Sequence, residues 1–139
     1  MKIHIVNPQQ EHVEGFERVE VTNGEVNLSQ LADNECSFIL ATDILNAMSV
    51  NQIGNNLQEM RKKMRINSTL VIGGIDIRLL ARNIVSGQMK TDEANSFIFS
   101  NKSCLDLALA KNLVKSLGLQ IEMTRVTGVS YEIEAKRAS

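Results

Sequence analysis

The chain opens with Met1-Lys2-Ile3-His4-Ile5-Val6, continues through Asn7-Pro8-Gln9-Gln10 and reaches Glu17-Arg18-Val19-Glu20-Val21. Two short apolar strands joined by a tight loop, the second ending on an acidic residue, are typical of the front of a nucleotide-binding α/β sheet. In such a sheet the acid accepts hydrogen bonds from ribose hydroxyls, and Glu20 is at that position. The loop has no glycine before Gly15, so side chains stand where the backbone normally approaches a ligand.

Length and composition indicate one globular domain over residues 1–139. The chain has 43% hydrophobic and 22% charged residues with one proline, far from the composition of disordered chains. The net charge of −1 argues against a nucleic-acid binder, because phosphate contacts need a concentrated basic surface. No apolar run approaches the roughly 18 residues of a membrane span, so we expect a cytoplasmic protein without membrane contact.

The cysteines and histidines show no pattern of metal or nucleophilic chemistry. Cys36 lies in an apolar strand pattern and Cys104 at the start of a helix pattern, without partners at metal-site or redox-motif spacing. We expect both to be buried free thiols. Neither His4 nor His12 has a serine or cysteine arrangement that predicts a catalytic triad. The sequence therefore predicts no metal site and leaves the catalytic residues unknown.

Strand and helix patterns alternate along the chain. Apolar runs predict strands at about 2–6, 17–21, 36–42 and 69–74. Capping residues and apolar residues at helical spacing predict helices at about 49–65, 76–86 and 103–117. Alternating apolar residues on both sides of Thr127-Gly128 predict a final antiparallel hairpin, with its second strand at about 129–136. The polar segment from Gln88 to Asn101 shows no clear helix or strand pattern, and we interpret it as a lid over a ligand pocket.

These elements predict an α/β fold of three layers. We expect a mostly parallel, Rossmann-like sheet with helices on both faces and an antiparallel C-terminal hairpin at one edge. A short first strand and a Met-rich core with few aromatic residues also suggest that burial is completed by a second copy, as a twofold homodimer.

The order and spacing of the elements resemble the small class I S-adenosylmethionine-dependent methyltransferases over nearly the whole chain. Met1 to Val6 resembles the first strand of that family, and Glu14 to Glu20 its second strand with a terminal acid. The loop Asn27-Leu28-Ser29-Gln30-Leu31 is similar to the family's adenine loop. Ile39 to Asn46 is similar to the strand and loop at the methionine end, and Met64 to Ile72 to the fifth strand.

The resemblance implies S-adenosylmethionine as cofactor and a set of binding residues. They are Asn7 in the first loop, Glu20 at the ribose, Asn27 and Leu28 at the adenine, and Asp43 and Asn46 at the methionine end. The family's glycine-rich first loop is missing here, because Val6 and Pro8 replace glycines and Pro8 has no N–H to donate. A pocket for the methyl acceptor is implied beside Asp43 to Asn46 and Gly73-Gly74.

Two functions stay open at this point. The first is methyl transfer to an unknown acceptor, small or macromolecular, with the activity intact, impaired or lost. The second is a non-catalytic binding or assembly module that kept the fold and lost the cofactor. The missing glycines favour the second function, whereas Glu20, Asn27-Leu28 and Asp43 favour the first. Each polar residue also has a structural alternative: a solvated carboxylate for Glu20, a turn for Asn27 and a loop cap for Asp43.

Overall fold

The computed structural model describes the whole chain, residues 1–139. Its strands are β1 (Lys2–Val6), β2 (Glu17–Thr22), β3 (Glu25–Val26), β4 (Cys36–Ala41), β5 (Met64–Ile75), β6 (Gln120–Thr127) and β7 (Ser130–Lys136). Its helices are α1 (Val50–Lys63), α2 (Ile77–Val85), α3 (Thr91–Phe99) and α4 (Leu107–Ser116). All the predicted strands and helices are present. None of the helices has the length and apolar character needed to cross a lipid bilayer.

The seven strands form one sheet in the order β3-β2-β1-β4-β5-β7-β6. Strands β2, β1, β4 and β5 are mutually parallel, and β7 pairs antiparallel with both β5 and β6. The Rossmann-like α/β fold and the antiparallel C-terminal hairpin are therefore confirmed. The parallel character is limited to the centre of the sheet, because β3 also pairs antiparallel with β2.

The β2–β3 connection is a two-residue hairpin turn. Asn23 and Gly24 have φ values of 54° and 76°, the left-handed backbone that such a turn requires. Val21 pairs with Val26, so the chain after β3 runs back towards the amino end of β2. This reversal decides where the following loop lies.

One face of the sheet carries the helical layer. Alternate residues of β4, β5 and β7 are buried on this face, as the period of two in a strand requires. Helices α1 and α4 place their apolar residues on these strands. The shared core includes Ile39, Ala41, Leu70, Ile72, Ile133 and Ala135 from the strands, Ile53, Leu57 and Met60 from α1, and Ala110 and Val114 from α4.

The opposite face has a loop as its outer layer, so the expectation of helices on both faces of the sheet is wrong. No helix lies in the connections from β1 to β2, from β2 to β3, or from β3 to β4. Residues 7–16 cover β1 instead: the Val13 N–H donates to His4 Nδ1 at 3.0 Å, and the Phe16 ring lies edge-on to Phe38 with 5.6 Å between centroids. Beyond this loop, Leu40 and Val71 stay half-buried on an open strip of sheet.

Two details of the helices differ from the sequence prediction. Segment 88–101, which showed no pattern, contains α3. The last helix begins at Leu107, later than the predicted start at about 103, because Asp106 caps it by accepting from the Leu109 N–H at 2.7 Å. Ser103 does not cap it; its hydroxyl donates to the Met48 carbonyl at 2.6 Å. Asp76 caps α2, in agreement with the predicted start of this helix at about 76.

Asp76 joins two helices through one buried carboxylate. Its Oδ1 accepts from the N–H groups of Arg78 and Leu79 at 2.8 and 3.1 Å, at the start of α2. Its Oδ2 accepts from the Leu107 N–H at 3.0 Å, at the start of α4. With 5% of its surface exposed, Asp76 has these backbone donors as its partners in place of water.

We predict that Asp76→Asn lowers the free energy of unfolding by about 2 kcal/mol, because the amide nitrogen leaves at least one buried N–H without an acceptor. Urea denaturation followed by circular dichroism measures the change. Asp92→Asn in the exposed first turn of α3 is the matched control, with an expected change within about 0.5 kcal/mol. Equal losses in the two variants would contradict this role of Asp76.

Candidate functional site

The sheet reverses its chain order between β1 and β4. These strands are parallel neighbours, yet the chain leaves β1 towards β2 and leaves β4 towards β5, on opposite sides. In open α/β sheets the crevice at the carboxyl ends of two such strands is the usual ligand site. Asn7 follows β1, Glu20 is in register with Val6, and Asp43 follows β4. The structure therefore brings Asn7, Glu20, Asp43 and the nearby Asn46 to one edge of the sheet.

Arg18 holds the first loop closed. Its guanidinium donates to the carbonyls of Pro8 at 2.9 Å and of Gln10, and it pairs with Glu20 at 3.0 Å. Asn7 is part of the same turn, since its carbonyl accepts from the Gln10 N–H at 2.9 Å. A glycine-rich loop would present N–H groups to a ligand here. This loop instead turns three of its carbonyls towards a cation on β2.

Glu20 and Asp43 keep free acceptor oxygens. Glu20 uses only Oε1 for Arg18, and its side chain is 47% exposed, so Oε2 has no protein donor. Asp43 is exposed, and its carboxylate makes no hydrogen bond within the chain. Its backbone has φ 59°, a left-handed conformation that Asp and Asn adopt more readily than most residues. Both carboxylates are free to accept from ligand hydroxyls.

Gly73 and Gly74 allow the loop after β4 to lie directly on β5. The Ile44 N–H donates to the Gly73 carbonyl at 3.2 Å. A Cβ on Gly73 would come within 2.5 Å of the Tyr131 carbonyl oxygen, and one on Gly74 within 3.4 Å of Leu45 Cβ. At Gly73 only glycine fits, because a Cβ would clash with the carbonyl on β7; at Gly74 a Cβ would make tight contacts with Tyr131 Oη and with the loop. The glycine pair and the Asp43 to Asn46 loop, which the sequence placed together, are in contact.

Asn46 connects this loop to the segment after α3. Its Nδ2 donates to Asn101 Oδ1 at 2.6 Å, and its carbonyl accepts from the Lys102 N–H at 2.9 Å. Its Oδ1 is buried and has no donor. The segment interpreted as a lid is therefore fixed to the site through its last residue, Asn101.

Asn27 and Leu28 do not join the other candidates. Because β3 runs antiparallel to β2, this loop lies at the amino edge of the sheet, where it lines a cleft of about 160 Å³ with Met1 and Glu17. Asn27 Oδ1 accepts from the Ser29 N–H at 3.0 Å, which is the turn alternative, and Leu28 is 2% exposed in the core. The six candidate residues do not form one pocket.

Three features of the site could not be located from the sequence. Arg18 looked like an ordinary strand residue, although its position two residues before Glu20 puts both on the same side of β2. Tyr131 is buried beside Gly74 with an unpaired hydroxyl, and burial raises its pKa far above the usual range. The third feature is a cleft between α2 and residues 98–104.

This α2–α3 cleft has a volume of about 320 Å³. Its lining residues are Ile77, Leu80, Ala81 and Ile84 from α2, Ile98 from α3, and Asn101, Lys102, Ser103 and Cys104 from the segment that follows. Cys104 is half-buried, contrary to the expectation of a buried thiol, whereas Cys36 is fully buried as expected. Burial raises the pKa of the Cys104 thiol.

No protein-family model and no curated protein matches the sequence. Solved structures do match the fold. A Pyrococcus horikoshii protein is 16% identical with a TM-score of 0.65, and the alignment covers 88% of this chain and 60% of that protein. A SAM-dependent methyltransferase from Archaeoglobus fulgidus is 14% identical with a TM-score of 0.59, covering 88% of this chain and 68% of the other.

A SAM-dependent methyltransferase from Methanosarcina mazei is 11% identical with a TM-score of 0.62, covering 94% of this chain and 72% of the other. At such identities the likeness is one of fold alone. The chain has the fold of class I S-adenosylmethionine-dependent methyltransferases, over a shorter length than these structures.

His4 gives the first loop a pH-dependent attachment. Burial lowers the pKa of His4 from its ordinary value of 6.5, with smaller contributions from His12 and Arg18. The neutral ring accepts the Val13 N–H, whereas a protonated Nδ1 could not. Since the folded pKa lies below the unfolded value, stability is present above pH 6.5 and is lost as the pH falls through the folded pKa.

We predict that the free energy of unfolding decreases from pH 7 to pH 5 by up to about 1.4 kcal/mol per pH unit through His4. Urea denaturation at each pH measures this slope. His4→Gln should reduce the slope of the unfolding free energy against pH. His12→Gln, at an exposed loop position, should keep most of this slope. A slope unchanged in His4→Gln would show that another group titrates.

Proposed function

We propose that this chain binds S-adenosylmethionine at the carboxyl edge between β1 and β4 and transfers its methyl group to an acceptor. The observation that carries the proposal is the position of Asp43 and Glu20. Two carboxylates with free oxygens lie at the point where the sheet reverses its order, the preferred ligand position in this kind of sheet. The fold shared with methyltransferase structures supports the same reading.

The residues at this edge fit the cofactor in part. Free carboxylate oxygens on Glu20 and Asp43 suit the ribose hydroxyls and the ammonium group of the methionine end. The first loop fits poorly, because Pro8 has no N–H and Arg18 holds the loop carbonyls. Asn27 and Leu28 lie at the opposite edge and are not part of the proposed site. When bound, the cofactor would supply an electrophilic methyl group on its sulfonium, and the protein would supply position and electrostatics.

The acceptor side of the proposed site is the region beyond Asn46. Asn46 and Lys102 connect the loop after β4 to the α2–α3 cleft, so a molecule in the cleft would lie next to the cofactor edge. The segment from Gln88 to Asn101, with α3 in it, forms one wall of this cleft and would cover an acceptor as a lid.

The alternative function is a non-catalytic module that has lost the cofactor. Arg18 favours it, since this side chain holds the first loop shut with three carbonyls. The two proposals differ in a single measurable property, the affinity for S-adenosylmethionine or its demethylated product.

Thermal unfolding with S-adenosylhomocysteine tests the proposal. We expect a dissociation constant no tighter than about 10 μM, because the first loop offers few N–H donors. At 1 mM ligand, about a hundred times that limit, binding stabilises the native state by at most roughly 2.7 kcal/mol, which is a shift of several degrees. A melting temperature unchanged at millimolar ligand would reject the enzyme and favour the non-catalytic module.

Asp43→Asn tests the location of the site. Asn tolerates the left-handed backbone of Asp43, so the substitution removes the charge with little strain. We predict about tenfold weaker binding, which reduces the stabilisation at 1 mM ligand to about 1.4 kcal/mol. Glu122→Gln on the exposed strand β6 is the matched control and should keep the full shift. Equal shifts in both variants would place the pocket elsewhere.

We also propose that two copies associate through the open strip of the sheet. Leu40 and Val71 are half-buried on this strip, which is lined by Arg125, Glu132 and Glu134. A surface with both charge signs around an apolar centre is complementary to a second copy of itself related by a twofold axis. The same face needs cover, because no helix lies in the connections on that side.

Light scattering tests the association. We predict a mass of twice 15.4 kDa at micromolar concentration, falling towards 15.4 kDa on dilution. Val71→Lys should give the monomer mass, because it places a charge at the centre of the strip. Val50→Lys, at a site 64% exposed at the start of α1, should remain dimeric. A monomer mass for the wild-type chain across the micromolar range would remove the proposal.

A further inference from the structure

The α2–α3 cleft leaves large aliphatic side chains in water. Ile77, Ile84 and Ile98 line it and are 50%, 37% and 47% exposed. Exposed apolar side chains scattered singly are normal, but a contiguous concave group marks a binding surface. The cleft therefore has the character of an apolar binding site.

The cleft has the size of a small-molecule site. Its volume of about 320 Å³ is in the lower range of ligand pockets. At roughly 30 Å³ for each water-sized group, it holds about ten heavy atoms. This capacity fits a medium aliphatic chain or a fused aromatic ring better than a folded protein surface.

The rim of the cleft is positively charged at one point. Lys102 is exposed and makes no ion pair, and its backbone N–H is fixed to Asn46. Asn101 is beside it, with its side chain engaged by Asn46 and by the Phe97 carbonyl. A ligand with an anionic end would place it at Lys102. Asp92 and Glu93 in the first turn of α3 disfavour an anionic membrane as the occupant.

We propose that the α2–α3 cleft binds a small amphiphile with an apolar chain or ring of about ten atoms and an anionic end group at Lys102. Its identification as the methyl acceptor rests on the proposed function, since the cleft adjoins the cofactor edge through Asn46. Binding of the amphiphile itself does not depend on the cofactor.

Equilibrium dialysis with 2-naphthoate tests the proposal without cofactor, because this probe combines a fused aromatic ring system of about ten atoms with an anionic group. Decanoate, below its micelle concentration, should displace the probe. Ala81→Leu fills the cleft from α2 and should weaken probe binding at least about tenfold. Ala108→Leu, the same substitution on the exposed side of α4, should leave it unchanged.

Lys102→Gln tests the anionic end. Decanoate affinity should fall about fivefold, whereas displacement by the uncharged decanol should not change. Probe binding that is equal in wild type and Ala81→Leu would overturn the proposal, as would equal losses in Ala81→Leu and Ala108→Leu. Anionic phosphatidylglycerol vesicles that bind Ala81→Leu as well as wild type would indicate a membrane surface and also overturn it.

The experiments distinguish a failure of the amphiphile proposal from a failure of the proposed cofactor binding. Ala81→Leu should keep the S-adenosylhomocysteine shift, because Ala81 lies on α2 and is not part of the edge at Asp43. Loss of probe binding with a retained cofactor shift supports the cleft as a site of its own. An absent cofactor shift with intact probe binding would reject methyl transfer and leave the amphiphile site in place.

Discussion

Residues 7–16 must return the chain from the carboxyl end of β1 to the amino end of its parallel neighbour β2. A five-residue strand is about 17 Å long, and ten extended residues reach at most about 36 Å. The same ten residues as a helix would rise only about 15 Å and could not also make two turns. The connection is therefore a loop, and the sheet has a helical layer on only one face.

This constraint explains the closed first loop. A loop without its own hydrogen-bond ladder needs partners for its carbonyls, and Arg18 on β2 supplies them. The open strip has a separate cause: α1 and α4, from the later connections, pack on the other face of the sheet and leave Leu40 and Val71 half-buried. The positions of Glu20 and Asp43 do not depend on the length of the β1–β2 connection, because strand register places both residues at the same edge of the sheet.

The sequence predicted the parts of the fold that follow from periodicity. Alternating and continuous apolar runs located β1, β4 and β7, and the spacing of Ile53, Leu57 and Met60 located α1. Strand direction is not encoded in this way. An Asn-Gly pair such as Asn23-Gly24 favours a tight turn. The antiparallel β3 that carries Asn27 to the amino edge of the sheet depends in addition on the pairing of Val21 with Val26.

The candidate site was predictable in its position and not in its contacts. Asp43 follows a buried strand, a local signal, and the structure keeps it at the expected edge. The role of Arg18 depends on three carbonyls that the folded loop brings to it. The α2–α3 cleft depends on packing between segments that are some twenty residues apart in the sequence. Such features arise from tertiary geometry, for which one sequence carries no periodic signal.

We infer that the edge between β1 and β4 binds S-adenosylmethionine or its demethylated product. The most direct measurement is a titration of the ¹⁵N-labelled protein with S-adenosylhomocysteine, followed through the backbone amide chemical shifts. The amides of Glu20, Asp43, Ile44 and Asn46 should move in a saturable way, with those of Asn27 and Leu28 unchanged. Saturable shifts at Asn27 and Leu28, with the amides of the β1–β4 edge unmoved, would contradict the claim.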